Sequence, residues 1–220
     1  LGRDALFEQP AHQVGALGAR LALESVEQVV DVAVVRWFGH VIHVRARAAP
    51  SCDVMTEPLL DGLPPVIDDR ARVLILGSFP SVRSLAEGRY YANPRNAFWP
   101  IVAELFGFDC TATYSEIIAA LQSHSVALWD VVRSCRRAGS ADAAIDPKTL
   151  VINDFHWLFG SYPRVNRVYF NGAAAARLFE RMVRRPATVT CQRLPSTSPA
   201  HAIAPAVKLA AWARLTDAGS

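Results

Sequence analysis

From Arg72 onward, short apolar runs alternate with stretches of helical periodicity, and no other feature narrows the accessible folds as far. Arg72 to Leu76, Ser125 to Trp129, Val165 to Phe170 and Thr188 to Leu194 read as strands by length, β-branched content and flanking turn residues. Helical signals lie between them. Asn93 and Pro94 supply a cap and a first helical residue for a segment with Phe98, Val102, Leu105 and Phe106 at helical spacing, stopped by Gly107. Thr113 to Glu116 forms a capping box for a helix through about Gln122. A polar loop is expected over Arg133 to Asp142 and a short helix near Asp154 to Phe159. An Ala-rich helix over 173–184 follows the Asn171–Gly172 turn, and a closing helix runs from Ile203 to Thr216. Strands joined through helices run parallel, because the chain must cross back over the sheet before the next strand. The expected fold class is α/β, a three-layer α/β/α sandwich with a central four-stranded, mainly parallel sheet.

Residues 1–54 read as different material, Val-rich between Val26 and Ala46 and ending in Ala-Ala-Pro-Ser before Met55. The composition break marks them as an N-terminal extension, not native or poorly ordered, with Met55 as the native start and residues 55–220 as the functional domain. The intact mass of the protein from its own host checks this, and a full-length mass overturns it.

Composition excludes several classes. With 51% hydrophobic and 20% charged residues, the 220-residue chain buries a core without disulfide or metal staples. No apolar run reaches the roughly 18 residues that a bilayer demands, so a soluble, cytoplasmic protein with no membrane partner is expected. Cys52, Cys110, Cys135 and Cys191 are far apart with no C-x-x-C pair, which argues against a zinc ribbon or a clustered iron–sulfur site. No metal and no cofactor is expected. Of 23 basic residues only Lys148 and Lys208 are lysines, a bias that says more about coding composition than about function. Residues 1–54 hold five Arg against six acidic residues, leaving 18 basic against 14 acidic in the rest, a balance compatible with nucleic acid.

In doubly wound sheets ligands bind outside the carboxyl ends of the strands, which directs attention to the segments after Leu76, Trp129, Phe170 and Leu194. After the first strand, Gly77-Ser-Phe-Pro-Ser81 allows close backbone approach and offers hydroxyls and amides to phosphate. Tyr90-Tyr-Ala-Asn-Pro-Arg-Asn-Ala-Phe-Trp99 then adds aromatic faces for stacking and amides that can read a base edge. After the fourth strand, Leu194-Pro-Ser-Thr-Ser-Pro-Ala-His201 suits a loop pressed against a sugar–phosphate backbone, or an ordinary Ser/Pro-rich loop.

With Leu128-Trp-Asp-Val-Val132 and Arg137-Ala-Gly-Ser140, these segments resemble the uracil-DNA glycosylase superfamily over about Arg72 to His201, and most closely its hypoxanthine-DNA (deoxyinosine) glycosylase branch. The four motifs occur in the family's order. The departures concern the uracil-specific branches: Phe79 stands where mismatch-specific enzymes have Asn, the water-activating Asp of the conventional enzymes is missing from the first motif, and Ser196 replaces the His of the second. The scattered cysteines do not match the iron–sulfur branches.

The resemblance implies base-excision repair: a deaminated base, hypoxanthine in deoxyinosine, is flipped from single- or double-stranded DNA and its N-glycosidic bond is hydrolysed to leave an abasic site. A monomer is expected. Alternatives are a uracil or xanthine glycosylase of the same fold, a non-catalytic nucleic-acid-binding module, and a protein acting on small nucleosides. Asn93 and Asn96 are the catalytic candidates for orienting water, while Asn93 also reads as a helix cap and Asn96 as a structural amide. Tyr91 would stack on the base or belong to the core, and Phe79 would close the other face or fill the space left by the missing Asn, with Ser78 amides and Asp130 reading the base edge; Asp130 equally reads as salt-bridged to Arg133. DNA contacts are expected from Ser81, Arg133, Arg137, Ser196, Thr197, Ser198 and His201, with a solvated face as the other reading for the arginines and for His201. Phe98 and Trp99 read as core.

Overall fold

The computed structural model describes residues 57–219, together with a hairpin of β1 (Val34–Trp37) and β2 (His40–His43). The chain divides into two compact units, residues 1–54 and 55–220. In the first, β1 and β2 pair antiparallel, with Trp37 opposite His40. The expectations for Met55 and Cys52, and for the rest of the N-terminal segment, lie outside the described residues.

The second unit is built on β4 (Val73–Gly77), β5 (Val126–Asp130), β8 (Arg167–Asn171) and β9 (Thr190–Leu194), all parallel in the order β5-β4-β8-β9. Every residue of β4 and β5 is buried. A strand covered on both faces has no polar side to alternate with, which is why Val-Leu-Ile-Leu reads as one apolar run. Successive side chains of β8 identify the covering layers: the Phe170 ring meets Phe179 at 5.1 Å, whereas the Tyr169 hydroxyl donates to the Arg214 carbonyl at 3.1 Å. Phe179 lies on α5 (Ala173–Met182) and also packs against Phe155 of α4 (Phe155–Ser161). On the other face, α6 (Pro205–Trp212) meets α2 (Phe98–Phe106) through Trp212 and Phe98, both fully buried. Helix α3 (Tyr114–Ser123) begins at the expected capping box, in which Thr113 and Glu116 cap each other.

A second, antiparallel sheet orders β3 (Leu59–Asp61), β6 (Val132–Arg136) and β7 (Val151–Ile152) as β3-β6-β7. Only Val131 separates β6 from β5, so the chain passes from one sheet to the other at Asp130. The expected polar loop from Arg133 is thus a strand as far as Arg136. Its arginines masked the pattern: Arg133 is exposed while Val132, Ser134 and Cys135 are buried.

Three helix boundaries also move. Helix α2 starts at Phe98, so Asn93 does not cap it; the first amides are served by Asn96 Oδ1, which accepts from Phe98 N–H at 3.0 Å, and by the Thr197 carbonyl, which accepts from Ala97 N–H at 3.0 Å. Helix α5 ends at Met182, before Arg184. The closing helix is a short α-helix followed by a 3₁₀ segment, Ala213–Gly219. Helix α1 (Val82–Glu87), capped by Ser81 and ended by Gly88 in the left-handed region, was not foreseen.

Candidate active site

The carboxyl ends of β4, β5 and β8 and the loop after β9 surround a cleft of roughly 390 Å³, within the range of small-molecule sites. It gathers Ser78, Phe79, Ser81, Tyr91, Asn93, Asn96, Asp130, Ser196 and Ser198, segments up to 120 residues apart in sequence.

Asp130 ends β5 and is only 5% exposed. Its Oδ2 has no hydrogen-bond partner among the described residues. Removal from water and the nearby Asp142 charge push its carboxyl up to about 7, with Arg137 acting in the opposite direction. Arg133, the expected partner, is exposed and makes no ion pair with it. The carboxyl lies against Gly77, where a β-carbon would run into Asp130 Oδ1. The sign of the linkage follows: the folded state holds the Asp130 proton more tightly than the unfolded chain, so this stability is complete below about pH 4 and is lost as pH rises through about 7. Asp130→Asn is therefore expected to stabilise the protein above pH 7, on the order of 3 kcal/mol, with little gain at pH 4. Urea titrations at the two pH values check this.

Tyr91 is one of two non-glycine residues at positive φ among the described residues (54°). That conformation, uncommon for an aromatic residue, turns its ring onto Phe98, with centroids 3.8 Å apart and planes 18° off parallel. Burial and the Asp130 charge both raise the pKa of its hydroxyl, and a hydrogen bond with Asn171 lowers it.

Asn93 and Asn96 each close a turn two residues ahead: Asn93 Oδ1 accepts from Arg95 N–H and Asn96 Oδ1 from Phe98 N–H, both at 3.0 Å. Their amide nitrogens have no protein partner among the described residues. The Asn93 carbonyl also accepts from Asn96 N–H at 2.8 Å, so the two asparagines form one rigid turn on the cleft wall.

Four expected contact residues are not in the cleft. Thr197 is fully buried: its N–H donates to Asn171 Oδ1 and its hydroxyl accepts from Asn171 Nδ2, both at 2.8 Å, so it anchors the loop from within. Arg137, 3% exposed, donates to the Pro80 carbonyl at 2.6 Å and lies 4.8 Å over the Phe79 ring, holding the first turn from behind. Arg133 and His201 are exposed outside the cleft. Phe79 is 6% exposed, packs with Val132 and Cys135, carries Arg137 on its ring and lines the cleft floor.

The structure adds residues that short-range patterns did not reveal. Ser78 donates to Asp142, and Val82 N–H donates to Ser140 Oγ at 3.0 Å, tying the loop after β6 to the first turn. Lys208, 5% exposed, donates to the Ser198 carbonyl at 3.3 Å, and Trp212 Nε1 donates to that of Pro195 at 2.9 Å. Asn171 holds the segment between them. Its position at the carboxyl end of a strand, before a glycine, was the signal available. Asn171→Ala leaves the Thr197 amide buried and unpaired, and is expected to cost about 1–3 kcal/mol in a denaturant titration.

Residues 64–216 match the model of the uracil DNA glycosylase superfamily. The chain belongs to the uracil DNA glycosylase superfamily. Among its relatives in this superfamily, a hypoxanthine DNA glycosylase of Methanosarcina acetivorans is 36% identical over 141 residues, 64% of this chain and 87% of the relative. A hypoxanthine DNA glycosylase of Methanosarcina barkeri is 38% identical over 112 residues, 50% of this chain and 70% of the relative. A solution NMR structure of a candidate uracil DNA glycosylase from Methanosarcina acetivorans superposes with a TM-score of 0.61 at 31% identity, covering 72% of this chain and 99% of that one. The superfamily match spans the whole four-stranded sheet and all nine cleft residues named above. No described helix is long and apolar enough to cross a membrane, and no described cluster of His, Cys, Asp or Glu is arranged to hold a metal ion.

Proposed function

We propose that the protein is a DNA glycosylase that excises hypoxanthine from deoxyinosine and leaves an abasic site, acting as a monomer in the cytoplasm. The observation that carries this reading is the convergence of Tyr91, Asn93, Asn96 and Asp130 on one cleft, in a superfamily whose named relatives include hypoxanthine DNA glycosylases. Deoxyinosine pairs weakly, so extruding it costs less than extruding a normal base. The free face of Tyr91 stacks on the purine, and Asp130 accepts from its N1–H. Asn93, held rigid by its turn with Asn96, orients water toward C1′ as the glycosidic bond lengthens and positive charge develops on the sugar. Ser81, Ser196 and Ser198 line the rim and offer hydroxyls to phosphates, with exposed Arg133 and His201 adding a salt-dependent contribution.

The test is strand cleavage by alkali after incubation with duplexes that hold a single deoxyinosine, deoxyuridine or deoxyxanthosine. Breaks at inosine in excess of the others support the proposal. Breaks confined to uracil or xanthine reassign the base, and binding without breaks on any substrate favours a non-catalytic module.

A further inference from the structure

We propose that Asp130 reads the extruded base as a neutral carboxyl, its O–H donated to the carbonyl oxygen of the base while its C=O accepts from the adjacent ring N–H. The inference rests on the glycosylase reading and refines it: a charged carboxylate would match the ring N–H but place negative charge beside a carbonyl oxygen.

Geometry favours the neutral form. Asp130 lines the cleft, is almost fully buried, and keeps Oδ2 free of any described partner. Its helpers bind elsewhere: Asn153 Nδ2 donates at 2.8 Å to the backbone carbonyl of Asp130, and not to the carboxyl. The cation that affects it, Arg137, donates to the Pro80 carbonyl and forms no described ion pair. The other titratable groups facing it are Asp142 from the loop after β6, which opposes a second negative charge, and the hydroxyls of Tyr90 and Tyr91. Tyr90 is committed to the Leu63 and Pro64 carbonyls at 3.3 and 3.1 Å. Arg137, whose Nε and Nη1 are also buried without a described partner, is the nearby cation, but no described ion pair joins it to the carboxyl, and removal from water outweighs its charge and favours the protonated form.

A neutral carboxyl presents a donor and an acceptor side by side, as an amide does. Hypoxanthine offers the complementary pair, O6 beside N1–H. As the C1′–N9 bond breaks, its electron pair passes into the purine and onto O6, where the Asp130 O–H meets the growing charge. The water oxygen bonds C1′, its proton leaves to solvent, and the base takes up a proton from solvent. Asp130 ends in the state in which it began.

The experiment is single-turnover excision from a deoxyinosine duplex between about pH 6 and about pH 8.5, with wild type, Asp130→Asn and Asp130→Ala. The wild-type rate is expected to fall about 30-fold over that interval, as the neutral form is titrated away. Asp130→Asn keeps the donor and acceptor and cannot titrate, so its rate should change by less than about 3-fold and exceed that of wild type at the alkaline end. Asp130→Ala should be roughly 100-fold slower than Asp130→Asn at about pH 6. A wild-type rate that rises with pH, or an Asp130→Asn protein as inactive as Asp130→Ala, overturns the proposal. If wild type excises only uracil or xanthine, which carry the same carbonyl beside a ring N–H, the pH arms are run on that base. If it excises nothing, the glycosylase reading fails, and the proton on Asp130 is still tested in the urea titrations: an Asp130→Asn advantage that does not grow between about pH 4 and about pH 7 overturns its neutrality.

Discussion

Asn93→Ala is expected to slow single-turnover excision of hypoxanthine by roughly 100- to 1,000-fold while leaving the fold intact. The size of the effect follows from what remains for the site to do once the base has been extruded. The attacking water is uncharged and weakly nucleophilic, and the transition state gains positive charge at C1′, so the main contribution open to a neutral side chain is to fix the water on that carbon. Asn93 Oδ1 accepts one hydrogen bond, from Arg95 N–H, and retains a second lone pair for a water proton. The backbone hydrogen bond between Asn96 and Asn93 keeps that oxygen on the cleft wall. Losing the turn contact itself costs about 1 kcal/mol, too little to account for such a loss of rate. Excision rate and denaturation midpoint measured on the same preparation separate the two effects. A rate loss of less than about 10-fold removes Asn93 from the chemistry and shifts the assignment to Asn96. Asn93→Asp, which keeps an acceptor in place, should lose less than Asn93→Ala.

How far the sequence predicted this site depended on the range of the interactions involved. Strands β4 and β5 were legible because a strand covered on both faces leaves a continuous apolar record, as Val73 to Leu76 does, whereas the partly buried β9 is marked by its length and flanking turn residues. Ser78, Tyr91 and Asp130 are legible for the same reason: each lies within about fifteen residues of a strand that its apolar run makes visible. Strand β6 was missed because its exposed positions hold arginine and its buried ones include Ser134 and Cys135, so polarity did not track burial. Arg137 and Thr197 were expected to contact DNA from their positions after the second and fourth strands and from the resemblance. In the fold both are buried, Arg137 by the Phe79 ring and Thr197 by the amide of Asn171, a partner 26 residues away. Ser78 and Asp142 are 64 residues apart, and no local pattern could join them. What chain-local reading cannot supply is which polar groups satisfy one another, and that determines which are free to meet a ligand. Asp130 lines the cleft and keeps one buried carboxyl oxygen without a described partner.

That dependence on a single close approach makes Gly77→Ala the most informative substitution outside the reacting groups. Gly77 is the last residue of β4, at a φ that any amino acid adopts, so alanine meets no backbone penalty there. Its β-carbon would instead collide with Asp130 Oδ1 and come within 3.8 Å of the Tyr91 hydroxyl. The carboxyl, the far end of a side chain that lines the cleft, must rotate away from its place over Gly77. Excision is expected to fall by about 100-fold, with a stability loss of about 1–3 kcal/mol from the displaced side chain. Gly172→Ala provides the contrast. Gly172 has φ 101°, where a β-carbon is strained, and that carbon would sit 3.0 Å from Ser196 Cβ, so the same change there should act mainly on folding and on the loop after β9. If Gly77→Ala excises hypoxanthine at the wild-type rate, the contact between Asp130 and the β4 backbone has no bearing on catalysis, and the carboxyl works equally well from another rotamer. If it loses both activity and pH dependence, the position of the Asp130 carboxyl over Gly77, and not its presence alone, sets how the base is held.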